Sequence, residues 1–149
     1  MAKNTTNSYR TTQDNKNALT KLHGSVSAGT EKAVESYIQL RPRIMIELKG
    51  FFTKAELSLI IDAYNGTIFD PRMAGNNNVL TASIEDAITF DNIAEKWEVE
   101  PPILFEKIAQ LNATQTYFLL EEIDRFWNNK NAYGAPNPNL DIFLKEFSI

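Results

Sequence analysis

The stretch GFFTKAELSLIIDAYNGT, residues 50–67, contains the clearest helix signal in the chain. Thr53 and Glu56 have the spacing of a capping box, in which each side chain satisfies a free backbone N–H of the other residue. Apolar residues then recur at the spacing of one helix face: Leu57, Ile60, Ile61 and Tyr64. Asn65-Gly66 supplies a left-handed stop. The pattern predicts an amphipathic helix over 53–65 whose apolar stripe faces the core.

A second helix is predicted upstream of this stretch. Thr30 is suited to an N-cap, and apolar residues follow on one face at close to 3.6-residue spacing: Val34, Tyr37, Ile38, Met45 and Leu48. Pro42 lies inside the pattern, where proline removes a hydrogen bond and clashes with the preceding turn. We expect a kink or a break near Leu40–Arg41, and the pattern does not choose between them. The segment RIMIEL, residues 43–48, has an alternative interpretation as a short strand, although no partner strand is visible.

Further helices are predicted toward the C-terminus. Their starts are marked by capping residues or by proline: Ser83, Asp91, Pro101-Pro102 and Asn112, which pairs with Gln115. The longest of these helices is expected over 113–128, and the last one carries apolar residues within 140–147. The sequence therefore predicts an all-α fold, with a single compact domain of six or seven short helices over residues 30–149.

Residues 1–29 differ in composition from this helical domain. They are rich in Asn, Thr, Gln and Lys and contain almost nothing to bury, so the entropy lost on ordering them is not offset. They are predicted to form a flexible arm, with at most one weak turn around 18–22. The net charge is +3 over residues 1–30 and −8 over residues 51–149. A mildly basic arm is thus expected beside an acidic body.

The basic residues of the arm and of the first predicted helix form a candidate nucleic-acid surface. Its members are Lys3, Arg10, Lys16, Lys21, Arg41 and Arg43. Groups of this kind bind phosphates without sequence preference, and the binding weakens as salt is added. The helix over 53–65 is not expected to read bases, because the surface outside its stripe is net acidic: Lys54, Glu56, Ser58 and Asp62. Nucleic-acid regulation with weak phosphate contact is the alternative function.

Residue types that catalyse reactions or bind metals are scarce. The chain has no cysteine and one histidine, His23, which lies in the predicted arm. Without a positioned imidazole or thiolate, the common triads and most zinc sites cannot be built. One carboxylate cluster is present, at Glu121, Glu122 and Asp124, and its position beside a basic residue is typical of a solvated face. We expect no enzymatic activity, no cofactor and no metal site.

The chain also lacks membrane signals. No run of about 18 apolar residues occurs, so no transmembrane helix is expected. The N-terminal sequence MAKNTTNSYRTTQDNKN has no apolar segment of the kind a signal peptide needs. Together with the absence of cysteine, which suits a reducing compartment, these features predict a cytoplasmic protein that does not contact membranes.

Aromatic residues in predicted loops form the candidate protein-binding surface. Most of the nine Phe, five Tyr and two Trp lie on predicted core stripes, but Phe51, Phe69 and Tyr133 lie in or beside loops. Exposed aromatic side chains are typical anchors of interfaces. The candidate partner-binding residues are Phe69, Arg72 and Met73 of IFDPRM, and Tyr133 of NAYGAPNP. The alternative is that these aromatic side chains fold back onto the domain.

The segments KAELSLIIDAYNGT and YFLLEEIDRFWN resemble small uncharacterised helical proteins encoded by bacterial phages and mobile elements. The resemblance extends over residues 30–148 and rests on packing motifs, so it carries over no catalytic residue. It implies a small accessory factor that acts on a host protein or an element-encoded protein, for example by inhibiting a host defence system. The expected function is binding to a protein partner of unknown identity, with self-association as a third hypothesis.

Overall fold

A computed structural model describes residues 11–65, 77–127 and 140–148. Within these ranges the chain is helical and contains no strand, which confirms the all-α prediction. The helices are α1 (Gln13–His23), α2 (Val26–Leu48), α3 (Lys54–Asn65), α4 (Asn78–Asp91), α5 (Ile93–Lys96), α6 (Pro101–Gln110), α7 (Ala113–Trp127) and α8 (Leu140–Phe147). The described residues thus form eight helices rather than six or seven.

The additional helix is α1, which lies inside the segment predicted to be a flexible arm. Thr12 is its N-cap, and the Thr12 hydroxyl accepts a hydrogen bond from the backbone N–H of Asn15 at 3.2 Å. Gly24 ends the helix in the left-handed conformation, with φ of 85°. None of the α1 residues is buried. Local capping therefore defines this helix, and a prediction based only on residues available for burial missed it.

The first predicted helix also begins earlier than expected. α2 starts at Val26, so Thr30 lies inside the helix, where its hydroxyl donates to the carbonyl of Val26 at 2.8 Å. The helix continues through Pro42 to Leu48. A break at the proline and a strand over 43–48 were both wrong.

The chain divides into two compact units, Met1–Arg41 and Pro42–Ile149. The border falls inside α2, not at the predicted boundary between residues 29 and 30. In the first unit, α1 and α2 approach closely at Gly29, which is buried. A Cβ atom at this position would lie 2.7 Å from the Cβ of Leu19 and 3.1 Å from its Cα. Only glycine permits this approach without a shift of one helix.

The core of the second unit is built around α3. Five apolar side chains of this helix are buried: Leu57, Leu59, Ile60, Ile61 and Ala63. The predicted stripe was therefore too narrow, since Leu59 and Ala63 lie outside it. The buried apolar residues span roughly 200° of the helix, and Lys54, Ser58 and Asp62 lie on the remaining side. α3 accordingly contacts α4, α5 and α8.

Side-chain and backbone hydrogen bonds set the helix ends of this unit. Asn112 and Gln115 form the predicted capping pair, at 3.0 and 2.8 Å.

The side-chain amide of Asn77, just before α4, donates to the carbonyls of Ile108 and Leu111 at 2.6 and 3.1 Å. The Ile108 carbonyl also accepts from the backbone N–H of Leu111 at 3.0 Å, so Asn77 adds a second bond at the C-terminal end of α6. α4 begins at Asn78 instead of the predicted Ser83, whose hydroxyl donates to the carbonyl of Val79 within the helix at 2.8 Å.

We expect the substitution Gly29→Ala to destabilise the packing of α1 against α2, because the added Cβ would overlap Leu19. Hydrogen exchange of the α1 amides measures this effect and should become faster. Ser27→Ala is the matched control, since it also raises helix propensity on α2 but at an exposed position. Equal exchange of the α1 amides in both variants would contradict the close approach.

Candidate functional site

The candidate nucleic-acid residues that the structure describes are spread around their helices. Lys3 and Arg10 lie outside the described residues. Lys16 and Lys21 are five residues apart on α1, which separates them by about 140° around the helix. Arg41 and Arg43 are two residues apart on α2, or about 200°. The two side chains therefore leave α2 on different sides, and binding of phosphates by Arg41 and Arg43 stays a prediction.

Arg43 also has an acidic neighbour on its own helix. Its Nε atom lies 3.4 Å from Oε1 of Glu47, and the Arg43 side chain is largely exposed. The side-chain amide of Gln115 on α7 donates to the same Glu47 carboxylate at 3.2 Å. A cation paired in this way offers less charge to a phosphate than an isolated one.

The predicted partner-binding residues Phe69, Arg72, Met73 and Tyr133 all lie outside the described residues. Phe51, the remaining loop aromatic, is half-buried and packs against the core. Its ring meets that of Phe52 edge-on, with centroids 4.9 Å apart. For this aromatic residue the alternative of folding back onto the domain is correct.

Glu56 forms a buried polar contact at the core. It was expected on the outer surface of α3, but it is buried. Its Oε2 atom accepts a hydrogen bond from the backbone N–H of Thr53 at 2.7 Å, and the Thr53 hydroxyl accepts from the N–H of Glu56 at 3.1 Å. These bonds confirm the capping box. The same Oε2 atom accepts from Nζ of Lys107 on α6, also at 2.7 Å.

One carboxylate thus caps α3 and joins it to α6. The Glu56 side chain is 7% exposed and that of Lys107 is 24% exposed, so water screens their attraction only partly. Removing one partner of such a pair leaves a desolvated charge without compensation. The geometry gives this carboxylate a structural role, since the cap and the ion pair both use the same oxygen.

Asp62 makes a comparable connection on another side of α3. Its Oδ2 atom accepts from Nζ of Lys96 at 2.6 Å and from Nε1 of Trp97 at 2.9 Å. The Lys96 ammonium also lies 5.1 Å from the centroid of the Trp97 ring, within the range of a cation–π contact. Asp62 therefore holds α5 and the turn after it against α3.

The residues considered for catalysis differ in burial. His23 is exposed at the end of α1. Of the acidic cluster on α7, Glu122 is buried and the two other carboxylates are half-buried, which corrects the expectation of a solvated face. Among the described residues, no group of three or more histidine, cysteine, aspartate or glutamate side chains has an arrangement that could hold a metal ion.

Phe90 is the most exposed of the large hydrophobic side chains in the described residues, at 80%. It lies in the last turn of α4, whose core side carries the buried Leu80 and Ile84. It is two residues from the half-buried Ile88, or about 200° around the helix, so it projects away from the core. The sequence contains a signal for this exposure, because Phe90 is an aromatic residue off the apolar stripe. The predicted protein-binding surface, in contrast, rests on aromatic residues in loops.

No protein-family model matches the chain, and comparisons with curated proteins and with solved structures give no match.

Among the described residues, no helix combines the length and the apolar character needed to cross a membrane.

We expect Lys107→Met to lower the free energy of unfolding by about 2 kcal/mol, because Glu56 remains buried without its cation. Chemical denaturation measures the change. Lys96→Met is the matched control, since it breaks an ion pair whose lysine is 57% exposed and should cost less than about 1 kcal/mol. If the two variants lose the same stability, Glu56 and Lys107 do not form a buried pair.

Proposed function

We propose that this protein is a non-enzymatic accessory or inhibitory factor of the cytoplasm that acts by binding another protein. A mobile-element or phage factor directed at a host system is the form that fits the resemblance of its helical segments. The observation that carries the proposal is the exposed ring of Phe90, on a helix whose core side is already packed.

For an exposed aromatic side chain in this position, the entropy lost on binding is small compared with the gain from burying its ring. Phenylalanine has few rotatable bonds, so little conformational entropy is lost when it is held in an interface. Burying its ring removes a large apolar area from water. The residues on either side, Thr89 and Asp91, are polar and exposed, as at the rim of an interface. Phe69, Arg72, Met73 and Tyr133 stay in the proposal as further contact residues.

The alternative function, nucleic-acid regulation, makes a different prediction about salt. Phosphate contacts by Lys16, Lys21 and Arg41 would weaken steeply as salt is added, because binding releases condensed counterions. A contact anchored by an aromatic ring would change little over the same range. Capture of bound proteins from a lysate, with and without nuclease and at two salt concentrations, therefore separates the two functions.

We expect Phe90→Ser to weaken the affinity for a nuclease-resistant protein partner by at least about thirtyfold, as for a hot-spot aromatic residue. Capture of that partner should fall accordingly. Its melting temperature should stay near that of the wild type, because the ring contributes little to the core. Thr89→Ala is the matched control, since it changes the adjacent exposed position and keeps the ring. Capture that Phe90→Ser leaves unchanged, or that disappears with nuclease, would contradict the proposal.

A further inference from the structure

The α2 segment of the unit Met1–Arg41 has an apolar face that the fold leaves in solvent. Val34 is 52% exposed and Ile38 is 64% exposed, although the sequence pattern predicts both as core residues. Ile38 is nine residues from Gly29, which places it about 180° around the helix from the side that α1 contacts. α1 therefore packs on one side of α2 and leaves the opposite side open.

Charged residues flank this apolar face in a regular pattern. Glu31, Val34, Ile38 and Arg41 follow one another at intervals of three, four and three residues. This spacing gives the seam along which two helices pack in a coiled coil. The seam has an acidic residue at one end, a basic residue at the other and two apolar residues between them.

The pattern is complementary to itself in only one orientation. If two copies of α2 paired in parallel, Glu31 would face Glu31 and Arg41 would face Arg41, which is repulsive. In the antiparallel orientation, both Glu31 with Arg41 and Val34 with Ile38 are centred on residue 36. A two-fold axis at this point therefore brings opposite charges together at both ends and apolar side chains together in the middle.

We infer that the α2 face formed by Glu31, Val34, Ile38 and Arg41 is a dimerisation surface, and that its occupant is the same face of a second copy in antiparallel orientation. The seam from Glu31 to Arg41 is about 15 Å long. This is short compared with a standard interface, so the dimer is weak and reversible. The inference does not depend on the proposed function, because Phe90 belongs to the other unit.

The test is sedimentation equilibrium of the full chain over a wide concentration range. The wild type should show a monomer–dimer equilibrium. Arg41→Glu and Glu31→Arg should each weaken dimerisation on the order of tenfold, because two symmetry-related pairs become repulsive at once. The double variant with both changes should restore it, since the opposite charges face each other again.

Arg43→Glu is the matched control, because it makes the same charge change about 200° around α2 from Arg41. It should leave dimerisation unchanged. Circular dichroism of each variant checks that the substitutions preserve the helices. Three results would overturn the inference. They are a wild type that is monomeric at all concentrations, equal effects of Arg41→Glu and Arg43→Glu on dimerisation, and a double variant that does not regain dimerisation.

Discussion

The burial of α3 is the constraint on which the rest of the second unit depends. Its buried apolar residues span roughly 200° of the helix circumference, so several neighbouring helices pack against it. Glu56 is one of the polar residues buried in this packing, and its carboxylate accepts hydrogen bonds from the N–H of Thr53 and the ammonium of Lys107. The same contacts fix where α3 begins and where α6 passes it, so local capping and long-range packing select one arrangement.

Local signals were sufficient to predict much of this fold. The capping boxes at Thr53 and Asn112 have the hydrogen bonds that their spacing indicates, since both partners lie within one helical turn. The helical class and the last helix followed from periodicity in the same way. Polar composition does not predict α1, because the helix is defined by its caps, Thr12 and Gly24. α2 was placed too late because Thr30 hydrogen-bonds within the helix instead of capping it.

Features that depend on contacts distant in sequence were not predictable. Nothing within α3 shows that Glu56 meets a lysine 51 positions away or that Asp62 meets Trp97. Val34 and Ile38 show the opposite case, in which residues predicted to be buried are exposed. Their helical stripe predicts a core face, but α1 packs against the opposite side of α2. The candidate partner-binding residues in loops lie outside the described ranges. Phe90 could have been predicted, because it is an aromatic residue off the apolar stripe of its helix. An apolar pattern alone therefore does not distinguish a core face from an interface.

Native-state hydrogen exchange tests the central claim, that α3 is the centre of the packed structure, most directly. The amides of residues 57–63 should be the slowest to exchange in the chain, and their opening free energy should equal that of global unfolding. The amides of α1 should exchange much faster, because none of its residues is buried. Exchange of the α3 amides by local opening, at rates similar to those of α1, would contradict the account.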